Sequence, residues 1–485
     1  MSCIPACRTR EEEAEDLLAK HLPLLAEVQQ PPTVTLDEIM KMSELFPVPF
    51  PAHSARLKTL LKRGTEHQET LEKQVNSAYP LIHARVLPLL AAFLHNKRLH
   101  GKKKEKSLYS SLSLLDLVDR LLKKRPIVFF NSIDNYLLRD GTEGCDGFEE
   151  IGHSHEQPNL CLKDYMTYDE MKLSALLCVT SESTFINDGS RHNRGVLGAP
   201  GTYQPEGVIV GMVGARFERE GVMEWQDCVV TPEQNTQERG YGDDPPKKRW
   251  LVREWGKLWG ETPLPTWKQA QDAPENNFIH LSSRALMNVQ VYQARIKLSA
   301  ETLLAEAGVR AAAAGLKAYV HVVGLGLGVW LISSQQKQLY VNAWGEAMRN
   351  TDTTHIAHLD FSWIEASSCV GVNDGEVFPD TSVTIHFSRR CPHAPVPAGT
   401  LLVATFAWDS NSMPGNEYWK GMLSASGDPA AACSSGVAEL HNALINPCVT
   451  AHNLHIASSG RVEHVAEYAR RLLNERVGSS TSEEK

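Results

Sequence analysis

The sequence predicts an α/β fold: a mixed, mainly parallel sheet with helices on both faces, preceded by an all-helical N-terminal region. Three observations carry this. Residues 1–125 place apolar side chains at helical spacing almost throughout; the first strand-like run, Ile127-Val-Phe-Phe130, comes only after Pro126; and in the second half short continuous apolar runs alternate with helical ones. Strands that are apolar on both faces and alternate with helices belong to parallel sheets covered on both sides. A chain of 485 residues with 42% hydrophobic content has the material for a large core. Its net charge of -9 argues against a nucleic-acid binder, whose footprint is a basic face. The longest apolar run, 320–332, is broken by His321 and by glycines and is too short to span a bilayer. Ten cysteines without a Cys-x-x-Cys pair read as reduced thiols, and a start without a basic segment and apolar core, or a glycine at position two, points to the cytoplasm.

Taken in order, the first helix spans 11–29, with Leu17, Leu18, Leu22, Leu25 and Val28 on one face and Pro31-Pro32 as its stop. Thr35-Leu-Asp-Glu38 is a capping box opening the second, in which hydroxyl and carboxylate each satisfy an orphan backbone amide. Further helices are expected over 54–75, 78–96 and 108–124. The basic run 96–106 reads as a solvated connection. These elements make 1–125 one unit, 126–476 a second, and 477–485 a disordered tail. In the second unit, 173–180 reads as a strand, and 207–217 with 222–230 as a hairpin closed at Glu220-Gly221. An alanine-rich helical region over 283–315, broken near Ser299, follows. Then come a strand to Val323, a helix over 334–349 and strands over 355–363, 383–387 and 401–407. His153, His155 and Cys161 match no metal-site spacing, and no metal is expected there.

Open α/β sheets bind ligands beyond the carboxyl ends of their strands. Two such ends stand out. Val323 runs into Gly324-Leu-Gly-Leu-Gly-Val329, where glycine lets the backbone turn and approach a ligand closely, the outline of a phosphate cradle. Ala407 runs into Trp408-Asp-Ser-Asn-Ser-Met-Pro-Gly-Asn-Glu-Tyr-Trp419. Shortly after it, Ser426 or Asp428 can cap a helix that Pro429 begins, with 430–442 as its body. Asp409, Glu417 and Asp428 lie within twenty residues, and carboxylates held close raise one another's pKa, so that one remains an acid while another acts as a base. Turn formation alone also accounts for these Asp and Asn residues. A nicotinamide site is disfavoured because no ribose-binding acid ends the next strand.

The runs Val322-Val-Gly-Leu-Gly-Leu-Gly-Val-Trp330, Trp408 to Trp419 and Ser426-Gly-Asp-Pro-Ala-Ala-Ala-Cys433 resemble the MavL-like arginine-specific ADP-ribosylhydrolases, a divergent macrodomain branch, with the similarity running from about Pro126 to about Asn474. The resemblance implies a macrodomain-like three-layer α/β/α domain. It further implies hydrolytic removal of ADP-ribose from arginine on modified proteins, ubiquitin among them, without metal or cofactor. Gly324, Leu325, Gly326, Leu327, Gly328 and Val329 would hold the diphosphate, with Asn411, Asn416 and Ser426 as further ligand contacts. Asp409 would orient ribose or water, Glu417 act as base or proton donor, and Asp428 support them. The paired-glutamate signature of poly(ADP-ribose) glycohydrolases is absent; after the candidate hairpin glycines the chain reads Gly214-Ala-Arg-Phe-Glu218 and Met223-Glu-Trp225, a departure that argues against polymer cleavage. A non-catalytic ADP-ribose-binding module is the alternative.

Overall fold

A computed structural model describes residues 13–64 and 67–482; the readings placed on the extreme N-terminus, on 11–12 and on 483–485 lie outside the described residues. Nine strands among the described residues form one mixed sheet. In chain order they are β1 (Tyr79–His83), β2 (Leu177–Thr184), β3 (Glu206–Met212), β4 (Lys317–Val322), β5 (Ile356–Ser362), β6 (Thr384–Ser388), β7 (Thr400–Ala407), β8 (His455–Ser458) and β9 (Arg461–His464). The spatial order is β6-β5-β4-β7-β3-β2-β1-β8-β9. From β6 to β3 every pairing is parallel, β2 runs against both its neighbours, and β1 is parallel to β8.

The parallel strands are the apolar runs expected: Ala318, Val320 and Val322 of β4 and Leu402, Val403 and Ala404 of β7 are buried, as sheet centres require. A 25-residue helix, α1 (Val289–Ala313), packs across β4, β8, β1 and β9, and α2 (Gln336–Asn350) packs on it. The sheet and its helices share one apolar core that runs from Ala14 to Ala469.

Several expectations need correction. The N-terminal region is not all-helical: β1 interrupts it, pairing with β2 on one side and β8 on the other. Its Leu81-Ile82 run continues in helical register into Val86–His100, which disguises the strand; Pro80 sits before the β8 pairing begins, where a missing donor costs little. No hairpin forms after β3. Residues 213–223 are coil, and Val229–Val230 pairs instead with Ala285–Asn288. Helix α1 does not break at Ser299, whose hydroxyl accepts from the Arg295 guanidinium at 2.7 Å inside the core. The helix expected over 430–442 is two, Gly427–Ser434 and Val437–Leu440, separated by extended backbone at Ser435. The basic run is structured, with Lys97 buried between Glu105 and Asp169. The final helix, Val465–Ser482, reaches through most of the expected tail. Among the described residues no helix is long and apolar enough to cross a membrane.

Candidate active site

Strands β4, β7 and β3 are adjacent and parallel, so the loops after Val322, Ala407 and Met212 leave one edge of the sheet side by side. Two hydrogen bonds fix their departure: Val323 N donates to Thr405 Oγ1 at 3.1 Å, and Trp408 N donates to the Met212 carbonyl at 2.8 Å.

The glycine loop packs against the segment following β3 with backbone on backbone. A Cβ on Gly214 would lie 2.3 Å from Gly326 N, and one on Gly326 would lie 2.8 Å from the Ala215 carbonyl oxygen. Gly326 also has φ of +76°, in the left-handed region. Leu325 is buried and pegs the loop, while Gly328 faces open space and Val329 is exposed. The amides of Leu325 and Leu327 turn back onto Val323 and Gly324, but those of Gly324, Gly326, Gly328 and Val329 make no hydrogen bond to any described residue. Unbonded amides around a tight bend form a concavity suited to an anion.

The three acids gather beside it. Asp409 follows β7 and is half-buried; Asn411 N donates to its Oδ1 at 3.0 Å. Burial pushes its carboxyl up to about 7, opposed by the Arg216 guanidinium and the Asn411 amide and reinforced by the charges of Glu417 and Glu218. Burial likewise raises Glu417, which accepts from Ser426 Oγ at 3.1 Å. Asp428, buried at the start of the Gly427–Ser434 helix, accepts from Gly415 N at 2.7 Å through Oδ1, and its Oδ2 has no hydrogen-bond partner among the described residues. Burial and then the Glu417 charge hold Asp428 well above the usual carboxylate range. Beneath them lies the fully buried Arg125, stacked 4.4 Å from the Trp408 ring; burial lowers its guanidinium to about 9, with the Asp409 charge pulling the other way.

A family model described as ADP-ribosylhydrolase MavL-like matches residues 37–471. The chain belongs to this MavL-like ADP-ribosylhydrolase family. Family membership makes it a hydrolase. ADP-ribosylarginine hydrolase CG3568 of Drosophila melanogaster is 39% identical to it, across 91% of this chain and 89% of that protein. ADP-ribosylarginine hydrolase CG2909 of the same organism is 38% identical, across 90% of each. The match corrects the expected extent of similarity: it begins at 37 and not near Pro126, consistent with β1 being an inner strand of the sheet.

In this MavL-like chain the remaining residues expected at the ligand are placed as follows. Asn416 accepts from Phe129 N at 2.9 Å and donates to the Phe129 carbonyl at 2.8 Å, clamping the acid loop to the strand Val128–Phe130. Asn411 accepts from the buried Arg216 and faces the Met223 sulfur. Both amides thus shape the loop, and Asn416 Nδ2 also reaches Asp409 Oδ2 at 3.4 Å. Ser426 occupies the helix N-cap position without making a cap bond, since its hydroxyl serves Glu417. The residue that sequence reasoning missed is Glu218. It is half-buried, it accepts from Trp330 Nε1 at 3.2 Å, and its charge raises both Asp409 and Glu417. Its sequence signal was its place in the stretch Gly214-Ala-Arg-Phe-Glu218, which was compared only with the paired glutamates of polymer-cleaving enzymes.

Proposed function

We propose that the protein hydrolyses the bond between ribose C1″ and a guanidino nitrogen, removing ADP-ribose from arginine side chains of modified proteins. What carries this reading is the gathering on one rim of unbonded glycine amides and of carboxyls whose proton affinity is raised, in a chain related to proteins named as ADP-ribosylarginine hydrolases. A macrodomain-like architecture goes with it, the diphosphate resting on Gly324, Gly326, Gly328 and Val329 and the acids facing the distal ribose.

The chemistry follows from the groups present. Departure of guanidine leaves an oxocarbenium-like C1″, which water must reach as charge develops. Asp409, ionised, accepts a hydrogen bond from that water and orients it; Glu417 takes the water proton and returns it to the leaving nitrogen, so that water is split between C1″ and guanidine. Asp428 keeps its proton, and by holding Gly415 N it sets the loop that carries Glu417. Anchoring the diphosphate keeps C1″ in line with these groups.

Release of ADP-ribose from arginine-modified ubiquitin tests the reading. Wild type is expected to liberate ADP-ribose, and Asp409→Ala to bind ADP-ribose with little change while losing turnover. A wild-type protein that binds ADP-ribose and never releases it from arginine would instead be a reader of the modification.

A further inference from the structure

The geometry points to Glu218 and Trp330 as the pair that receives the arginine side of the scissile bond, the carboxylate pairing with the guanidinium and the indole face stacking on it. This rests on the reading of the rim as an ADP-ribosylarginine hydrolase site and names what selects arginine there.

The pair is held in place by both loops at once. Trp330 ends the glycine loop, Glu218 lies in the segment after β3, and the Gly214 to Gly326 contact locks one loop to the other. The indole N–H donates to Glu218 Oε2, which leaves Oε1 with no hydrogen-bond partner among the described residues. Glu218 is also a half-buried carboxylate flanked in sequence by cations that it does not use. Arg216 points inward, to Glu224 at 2.9 Å, to Asn411 and to the Met171 carbonyl. Arg219 is engaged by Asp134, Asp146 and Glu149. No ion pair to Glu218 forms among the described residues, so its charge is left for a cation from outside.

A guanidinium fits what is offered. It is planar and delocalised, it pairs with carboxylates through parallel N–H bonds, and it stacks on aromatic faces, which an ammonium does less well and a hydroxyl not at all. The pair also stands on the rim that carries the acids: the loops after β3, β4 and β7 leave the sheet side by side, and the Glu218 charge raises the carboxyls of Asp409 and Glu417.

The test compares Glu218→Gln, Trp330→Leu and Trp330→Phe with wild type. It uses steady-state hydrolysis of an ADP-ribosylarginine peptide, affinity for free ADP-ribose, and inhibition by arginine methyl ester. For Glu218→Gln and Trp330→Leu the expected result is a rise in KM of about tenfold or more, weaker inhibition by the ester and a kcat within a few fold, because the pair binds guanidinium in ground state and transition state alike. Trp330→Phe keeps a ring and is expected to lose less than Trp330→Leu. Affinity for ADP-ribose, which has no guanidinium, should be unchanged, and this also reports that the variants are folded. An unchanged KM, or ADP-ribose affinity falling in step with KM, overturns the assignment. Failure of the underlying reading shows earlier and separately, as wild type that does not act on the peptide at all.

Discussion

At the scale of single residues the site is governed by proton affinity. Asp409 has its carboxyl pushed to about 7, against an ordinary 3.8, chiefly by burial. With Asp409 proposed as the ionised acceptor for water, kcat/KM is expected to rise with pH through about 7. Asp409→Asn, which cannot ionise, is expected to be slow and to lack that limb, and a limb of the same midpoint in the variant would assign it to another group. The same shift fixes a stability effect of opposite sense. Between about pH 4 and pH 7 the folded chain holds a proton that the unfolded chain has released, so this group's contribution to stability is full below the unfolded pKa and is lost as pH rises through about 7. Thermal melts should therefore show Asp409→Asn stabilised relative to wild type at pH 8 and equal to it near pH 3.5. Asp409, Glu417 and Asp428 were legible as a cluster because they are close in sequence. Glu218 was not, because it reaches them from a loop nearly two hundred residues away and only the order of the strands puts it there. Asn411 and Asn416 look like ligand contacts in a polar loop; their partners, Arg216 and Phe129, lie far off in sequence and turn them inward.

At the scale of elements the glycine loop separates two uses of one residue type. Gly326→Ala puts a side chain into left-handed backbone and within 2.8 Å of the Ala215 carbonyl. The strain is on the order of 1–3 kcal/mol, and relieving it would part the two loops. Both melting temperature and ADP-ribose affinity are expected to fall. Gly328→Ala meets nothing within 4 Å and has no positive φ, so the fold should be untouched. If Gly328→Ala also left affinity intact, its amide alone, and not the lack of a side chain, would be what that position supplies. The β4 and β7 runs were readable because a strand buried on both faces is a largely apolar word with turn residues at its ends, whereas β6, at the sheet edge, shows only the alternation of Ile385 and Phe387 with polar residues. The false hairpin after β3 arose from the same logic: Val222 to Val230 alternates like a strand, yet Met223, Trp225 and Cys228 are buried from coil and a short helix, and only Val229–Val230 finds a partner.

At the scale of the whole molecule the question is whether 126–476 stands as a unit apart from 1–125. The buried carboxylate of Glu439 accepts from Leu57 N at 2.6 Å and pairs with Arg56 and Ser43, tying the helices Leu36–Glu44 and Leu57–Leu61 to Val437–Leu440. More decisive is β1, which stands between β2 and β8. Without it β2 would present an unpaired inner edge, the β8-β9 hairpin would be detached from the sheet, and the apolar surface now covered by Leu81, Ile82 and Val86 to Leu94 would be bare. No local pattern could reveal this, because the partners of a parallel or crossover strand lie far away in the chain and the strand itself is five residues long beside a fifteen-residue helix. The expected outcome for a chain beginning at Pro126 is that it fails to unfold cooperatively and does not bind ADP-ribose, whereas one beginning near Val34 does both. Cooperative melting and ADP-ribose binding by the shorter chain would mean that the sheet closes without β1, and that 126–476 is a self-sufficient domain after all.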